Sequence, residues 1–123
     1  MGYRSEVALV LSQEGVTALK QKLSSNDSRI PAAQGLLGHA SIHYVDAASK
    51  AELWQWDWLK WYPEYQDVSV LENLMDDLDE AHYRFIRIGE DEEDTEVRGQ
   101  FWDDPFHVSL IRGIDIDPPQ QQG

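Results

Sequence analysis

Near its start the chain carries a short unbroken apolar run, Val7-Ala8-Leu9-Val10-Leu11, and such a run over residues 6–12 predicts a strand buried on both faces. Ser12 then stands where an N-cap belongs. Val16, Leu19 and Leu23 recur at three- and four-residue steps, which predicts an amphipathic helix ending in the polar run 24–28. Residues 30–38 hold Pro31, Gly35 and Gly38 among small side chains and read as a mobile loop. Alternation returns over 41–46, with Ile42 and Tyr44 opposite His43 and Val45, and 47–50 makes a turn. Over 52–62 Trp54, Trp56 and Trp58 share one face against Leu53, Gln55, Asp57 and Leu59, until Pro63 stops the strand.

The second helix is announced by Ser69 and Glu72 in capping-box spacing, with Asp67 as an alternative cap, and by the stripe Leu71, Leu74, Met75, Leu78. Residues 82–89 alternate Tyr83, Phe85 and Arg87 against Arg84, Ile86 and Ile88, a further strand. The acidic run 90–96 reads as a solvated loop or hairpin tip, and Phe101, Trp102 and Phe106 line a turn around Pro105. A last strand is expected over 107–116, and 118–123 reads as a disordered polar tail. The order strand, helix, strand, strand, helix, strand is that of the ferredoxin-like split βαβ arrangement. The expectation is a single α+β domain over 1–117: a mainly antiparallel sheet with two helices on one face and an extra C-terminal strand.

At 123 residues, with 41% apolar and 27% charged positions, the chain has the composition of one folded domain. With no cysteine it has no disulfide, thiolate metal site or cysteine nucleophile. No apolar run is long enough to span a bilayer and the first residues lack a signal-peptide core, so a cytoplasmic location is expected.

Charge sharpens this picture. The formal net charge is −13, and it is uneven: residues 1–50 carry four acids against five bases, residues 51–123 nineteen acids against five bases. Twelve carboxylates crowd into 76–104: Asp76, Asp77, Asp79, Glu80, Glu90, Asp91, Glu92, Glu93, Asp94, Glu96, Asp103 and Asp104. Such a field repels phosphate backbones and anionic membranes and attracts a basic partner. Acids at the C-terminal end of the second helix also oppose its dipole, a local cost that suggests the charge is needed.

Candidate chemistry is sparse. His39 and His43 are four apart, but at the start of a strand their side chains do not converge on a metal. Asp115 and Asp117 form an acidic pair without a glycine-rich phosphate loop, although a metal-dependent enzyme using them stays open as a third reading. The run 90–96 lacks the glycine and the final glutamate of a calcium loop. Gly-x-Ser-x-Gly and His-Glu-x-x-His are absent, and no cofactor, metal or catalytic residue is assigned. The tryptophans either fill the core under the helices or lie on the open sheet face. In the second case Trp54, Trp56 and Trp58 are a possible homodimer face, since the acidity argues against stacking on nucleic acid.

The opening Met1-Gly2-Tyr3-Arg4-Ser5-Glu6-Val7, the run Tyr83-Arg84-Phe85-Ile86-Arg87-Ile88-Gly89-Glu90 and the close Leu110-Ile111-Arg112 resemble a group of small uncharacterised phage and prophage proteins. The resemblance implies no activity and assigns no residue a role. It implies a setting in which small acidic proteins act as stoichiometric inhibitors of host nucleic-acid enzymes, some by imitating DNA charge. The resulting expectation is a non-enzymatic, anti-defence binding protein whose twelve carboxylates dock on a basic host protein. The alternative is a structural module that homodimerises.

Overall fold

The computed structural model describes residues 2–91 and 93–111. Its elements are β1 (Ser5–Leu11), α1 (Gln13–Leu23), α2 (Ile30–Gly38), β2 (Ile42–Val45), β3 (Glu52–Leu59), α3 (Gln66–Asp77), a 3-10 turn (Glu80–His82), β4 (Tyr83–Gly89) and β5 (Thr95–Arg98). The architecture is α+β, with one antiparallel sheet in the order β2-β3-β1-β4-β5. The apolar run sits where its composition requires: Val7, Leu9, Val10 and Leu11 have no exposed surface because β1 is central.

One sheet face presents Val7, Leu9 and Leu11 with Trp54, Trp56, Tyr83 and Phe85, and onto it pack Val16 and Leu19 of α1, Leu36 of α2, and Val68, Leu71, Leu74 and Met75 of α3. This cluster is the main core. Ser12 caps α1 as its sequence position predicts, its Oγ accepting from Gly15 N at 3.2 Å. Across the other face runs the irregular segment 101–111, where Phe106 stacks on Tyr44 at 6.4 Å and Arg84 Nε donates to the Val108 carbonyl at 3.4 Å.

Four expectations are corrected. Residues 30–38 are helix α2, not a loop: Pro31 falls in the first turn, where no N–H is needed, and Ile30, Ala33 and Leu36 are buried at three-residue steps. Trp56 Nε1 fastens this helix by donating to the Leu36 carbonyl at 2.9 Å.

The start of α3 lies earlier than the capping box implied. Tyr65 occupies the cap position, and Ser69 Oγ instead donates to the Gln66 carbonyl at 2.9 Å and accepts from Arg29 Nη1 at 2.9 Å.

Residues 107–111 form no strand, and 112–123, including the rest of the expected strand and the tail, lie outside the described residues. The fifth strand is β5, which returns along β4 with Glu96 opposite Arg87 and Arg98 opposite Phe85.

The tryptophan row is broken by a β-bulge. Val7 pairs with Trp56 but Ser5 with Leu59, so β3 carries one extra residue there and the alternation changes phase. Trp54 and Trp56 are buried, Trp58 is 62% exposed, and Leu59 and Trp61 turn back to the core in its place.

Candidate functional site

Asp103 and Asp104 belong to the segment 101–111, whereas nine of the described acidic residues come from three places along one side of the fold: the end of α3, the 3-10 turn and the β4–β5 hairpin. Two arginines tie them. Arg98 reaches Glu72 at 2.6 Å and Asp76 at 3.0 Å on α3, and Glu96 at 3.7 Å on its own strand. Arg87 holds Asp94 at 2.8 Å and Glu96 at 3.1 Å and also donates to Ser5 Oγ at 3.1 Å. Both guanidiniums lie on the helix-side face of the sheet beside Phe85, and Arg98 sits 5.8 Å over that ring. The hydrogen bond from Arg87 to Asp94 raises the Arg87 pKa against the opposing effect of burial. For Arg98 burial is the largest influence and opposes its charge, but the bonds and charges of Glu72 and its neighbours together outweigh it and raise the pKa.

The hairpin is anchored from the N-terminal side as well. Tyr3 Oη donates to Asp94 Oδ2 at 2.6 Å and accepts from Asp91 N at 2.9 Å, while Arg4 N donates to Glu90 Oε2 at 2.6 Å. Tyr3 N in turn donates to Tyr62 Oη at 2.7 Å. The acidic tip is therefore a braced turn, with the Gly89 N–H closing it onto the Asp94 carbonyl at 2.8 Å.

These contacts sort the expected docking residues. Asp76, Asp94 and Glu96 are partly spent on internal ion pairs, and Asp79 caps the 3-10 turn by accepting from Ala81 N at 2.9 Å. Asp104 does not belong to the surface: it is 5% exposed and accepts from Phe106 N at 2.7 Å and Val108 N at 2.9 Å, so its carboxylate builds the turn. Asp77, Glu80, Glu90, Asp91, Glu93 and Asp103 are exposed, and Glu92 lies outside the described residues.

Arg87, Arg98 and Tyr3 are the organising residues that periodicity alone did not single out. The available signal was Arg87 itself: a cation in phase with Tyr83 and Phe85 on a core-facing strand position requires buried or half-buried partners.

Other reactive side chains have structural work. His39 Nδ1 meets the Gly35 carbonyl at 2.7 Å at the end of α2, whereas His43 stacks on Trp54 at 4.9 Å and meets Glu52 at 2.9 Å, so each ring has its own partner. Ser12 Oγ lies 3.0 Å from His82 Nδ1, but the same oxygen is the α1 cap, and among the described residues no carboxylate bonds the ring. Among the described residues no three histidines or carboxylates gather as a metal site, and Asp115 and Asp117 lie outside them.

Trp54 and Trp56 are enclosed by the chain's own helices and offer no face to a second copy. Trp61 is likewise inside, 5% exposed, packed 5.9 Å from Trp56 and 5.4 Å from Phe85, with Nε1 donating to Glu72 Oε2 at 2.9 Å. Among the described residues no helix is long and apolar enough to cross a membrane. Comparison with protein families, curated proteins and solved structures finds no match to this chain.

Proposed function

We propose that this chain is a non-enzymatic binding protein whose acidic side, formed by the end of α3, the 3-10 turn and the β4–β5 hairpin, docks on the basic, nucleic-acid-binding surface of another protein. One observation carries the reading: the two arginines within this surface, Arg87 and Arg98, are committed to internal pairs, so Asp77, Glu80 and Glu93, and Asp103 on the segment that follows β5, meet solvent with no ion pair among the described residues. A surface so arranged steers a cationic partner in and loses affinity as salt rises. The ferredoxin-like reading of the fold is supported by the order β2-β3-β1-β4, and by helices between β1 and β2 and between β3 and β4. The resemblance to small phage proteins supplies the biological setting we favour, inhibition of a host enzyme by charge mimicry of DNA.

The test is competition with labelled duplex DNA for a panel of basic DNA-binding proteins, read by fluorescence anisotropy. Displacement that weakens at least tenfold between about 50 and 200 mM salt is expected. No displacement at low salt sinks the proposal. So does displacement unchanged in the variant Asp77→Asn, Glu80→Gln, Glu93→Gln, Asp103→Asn. A second reading, self-association, is favoured only by the exposure of Trp58, and light scattering of wild type against Trp58→Ser decides it.

A further inference from the structure

Where the chain leaves β5, Gly99 turns it back over the 3-10 turn and opens a cavity of about 460 Å³ lined by Glu80, Tyr83, Val97, Arg98 and Trp102. Its composition is unusual for a surface this acidic. Trp102 is 71% exposed, while Glu80 and the neighbouring Asp103 are exposed carboxylates. Large aromatics left in water next to carboxylates are the two halves of a guanidinium site: the ring face attracts the planar cation and the carboxylate takes its N–H fork. The protein already uses the first half of this chemistry, because Arg84 lies 5.2 Å from the centre of the Trp102 ring. Arg84 meets the indole in a separate hollow with Asp104 and Val108 and does not line this cavity, so among the described residues the cavity side of Trp102 is left for a second cation.

Arg98 lines the same cavity, but its guanidinium is engaged by Glu72, Asp76 and Glu96, the last shared with Arg87. Counting Asp94, Glu80 and Asp103 as well, six carboxylates stand against Arg84, Arg87 and Arg98, and the surroundings favour a positive guest. We propose that this cavity is the anchor socket for an arginine side chain of the basic partner, stacked on Trp102 and bonded to Glu80. The proposal rests on the docking reading above and names the group by which the partner is held. Lysine would gain the charge attraction but not the planar stacking.

The probes are acetylated, amidated hexa-arginine and hexalysine peptides, titrated into the full ¹⁵N-labelled chain with the Trp102 indole N–H as reporter. Hexa-arginine is expected to shift that signal and to bind about two- to fivefold tighter than hexalysine, the size of an exposed cation–π contact. Trp102→Ala should abolish the preference, Trp102→Phe should keep most of it, and Glu80→Gln should weaken both peptides. Melting curves of each variant confirm folding, which an exposed position leaves intact. Equal binding of the two peptides with an unmoved indole signal overturns the socket and leaves the docking reading standing. No binding of either peptide at low salt overturns both.

Discussion

The Tyr3 hydroxyl donates to the Asp94 carboxylate at 2.6 Å, joining residues 91 positions apart in the chain. Burial raises the Tyr3 pKa above its usual 10.0; the N–H donated by Asp91 works against this, and the bond and charge of Asp94 add to it. A raised acid pKa means that the bond's contribution is complete below pH 10.0 and is lost as pH climbs through the higher folded value. Wild type should therefore lose more stability than Tyr3→Phe between neutral and strongly alkaline pH. At neutral pH the variant should already exchange the Asp91 amide and the β5 amides faster. Equal protection in the two proteins would show that Tyr3 does not hold the hairpin.

The bulge in β3 separates tryptophans of the same sequence cluster by energy. Trp54→Ala and Trp56→Ala each empty a core position and should cost about 3–5 kcal/mol in urea denaturation. Trp58→Ser should stay within about 0.5 kcal/mol. A large loss at Trp58 would mean that its ring is covered in solution.

Gly99 has φ +88°, and a Cβ there would run into the Tyr83 backbone carbonyl. Gly99→Ala should cost at least about 1 kcal/mol, since the strain adds to the close approach. The loss should be localised: the Gln100 N–H on the Glu80 carbonyl (2.7 Å) and the Phe101 N–H on the Tyr83 carbonyl (3.2 Å) should exchange first. A variant as stable as wild type would contradict the backbone geometry described.

Asp27 receives the Arg29 guanidinium and the Arg29 backbone N–H, bonds that hold its carboxyl far below the usual carboxylate range. The same Arg29 reaches Ser69 and Asn73 on α3, so the pair pins the α1–α2 connection to that helix. Because the folded pKa is depressed, the stabilisation is present above the ordinary value of 3.8 and drains away as pH falls toward the folded value. Asp27→Asn should lower stability at pH 7 and flatten the acid limb of the denaturation profile. An acid limb identical to wild type would remove Asp27 from the account.

Elements with an uninterrupted period were legible in the chain. Val7 to Leu11 reads as a central strand, and Leu71, Leu74 and Met75 read as a buried helix face, because each pattern reports its own burial. Helix α2 was hidden because Pro31, Gly35 and Gly38 carry turn statistics, whereas Pro31 is harmless in the first turn and both glycines are exposed. Strand β5 was hidden because Glu96 and Arg98 look like loop charges until Arg87 and Glu72 are placed opposite them. The phase change at Trp58 is a property of the pairing with β1, so β3 read alone gives the wrong face. The acidic surface was visible as a run of charge. Its division into paired and unpaired carboxylates depends on contacts between distant segments, and only the assembled fold decides it.

The central place of β1 bears on how the molecule comes to exist at all. Its partners, β3 and β4, are made much later: Leu9 pairs with Trp54 on one side and with Phe85 on the other. β1 is thus made before either partner: its edge toward β3 stays unpaired until residues 52–59 have been made, and its edge toward β4 until residues 83–89 have. The core of the sheet therefore rests on pairings that are distant in sequence, the kind that form slowly in folding.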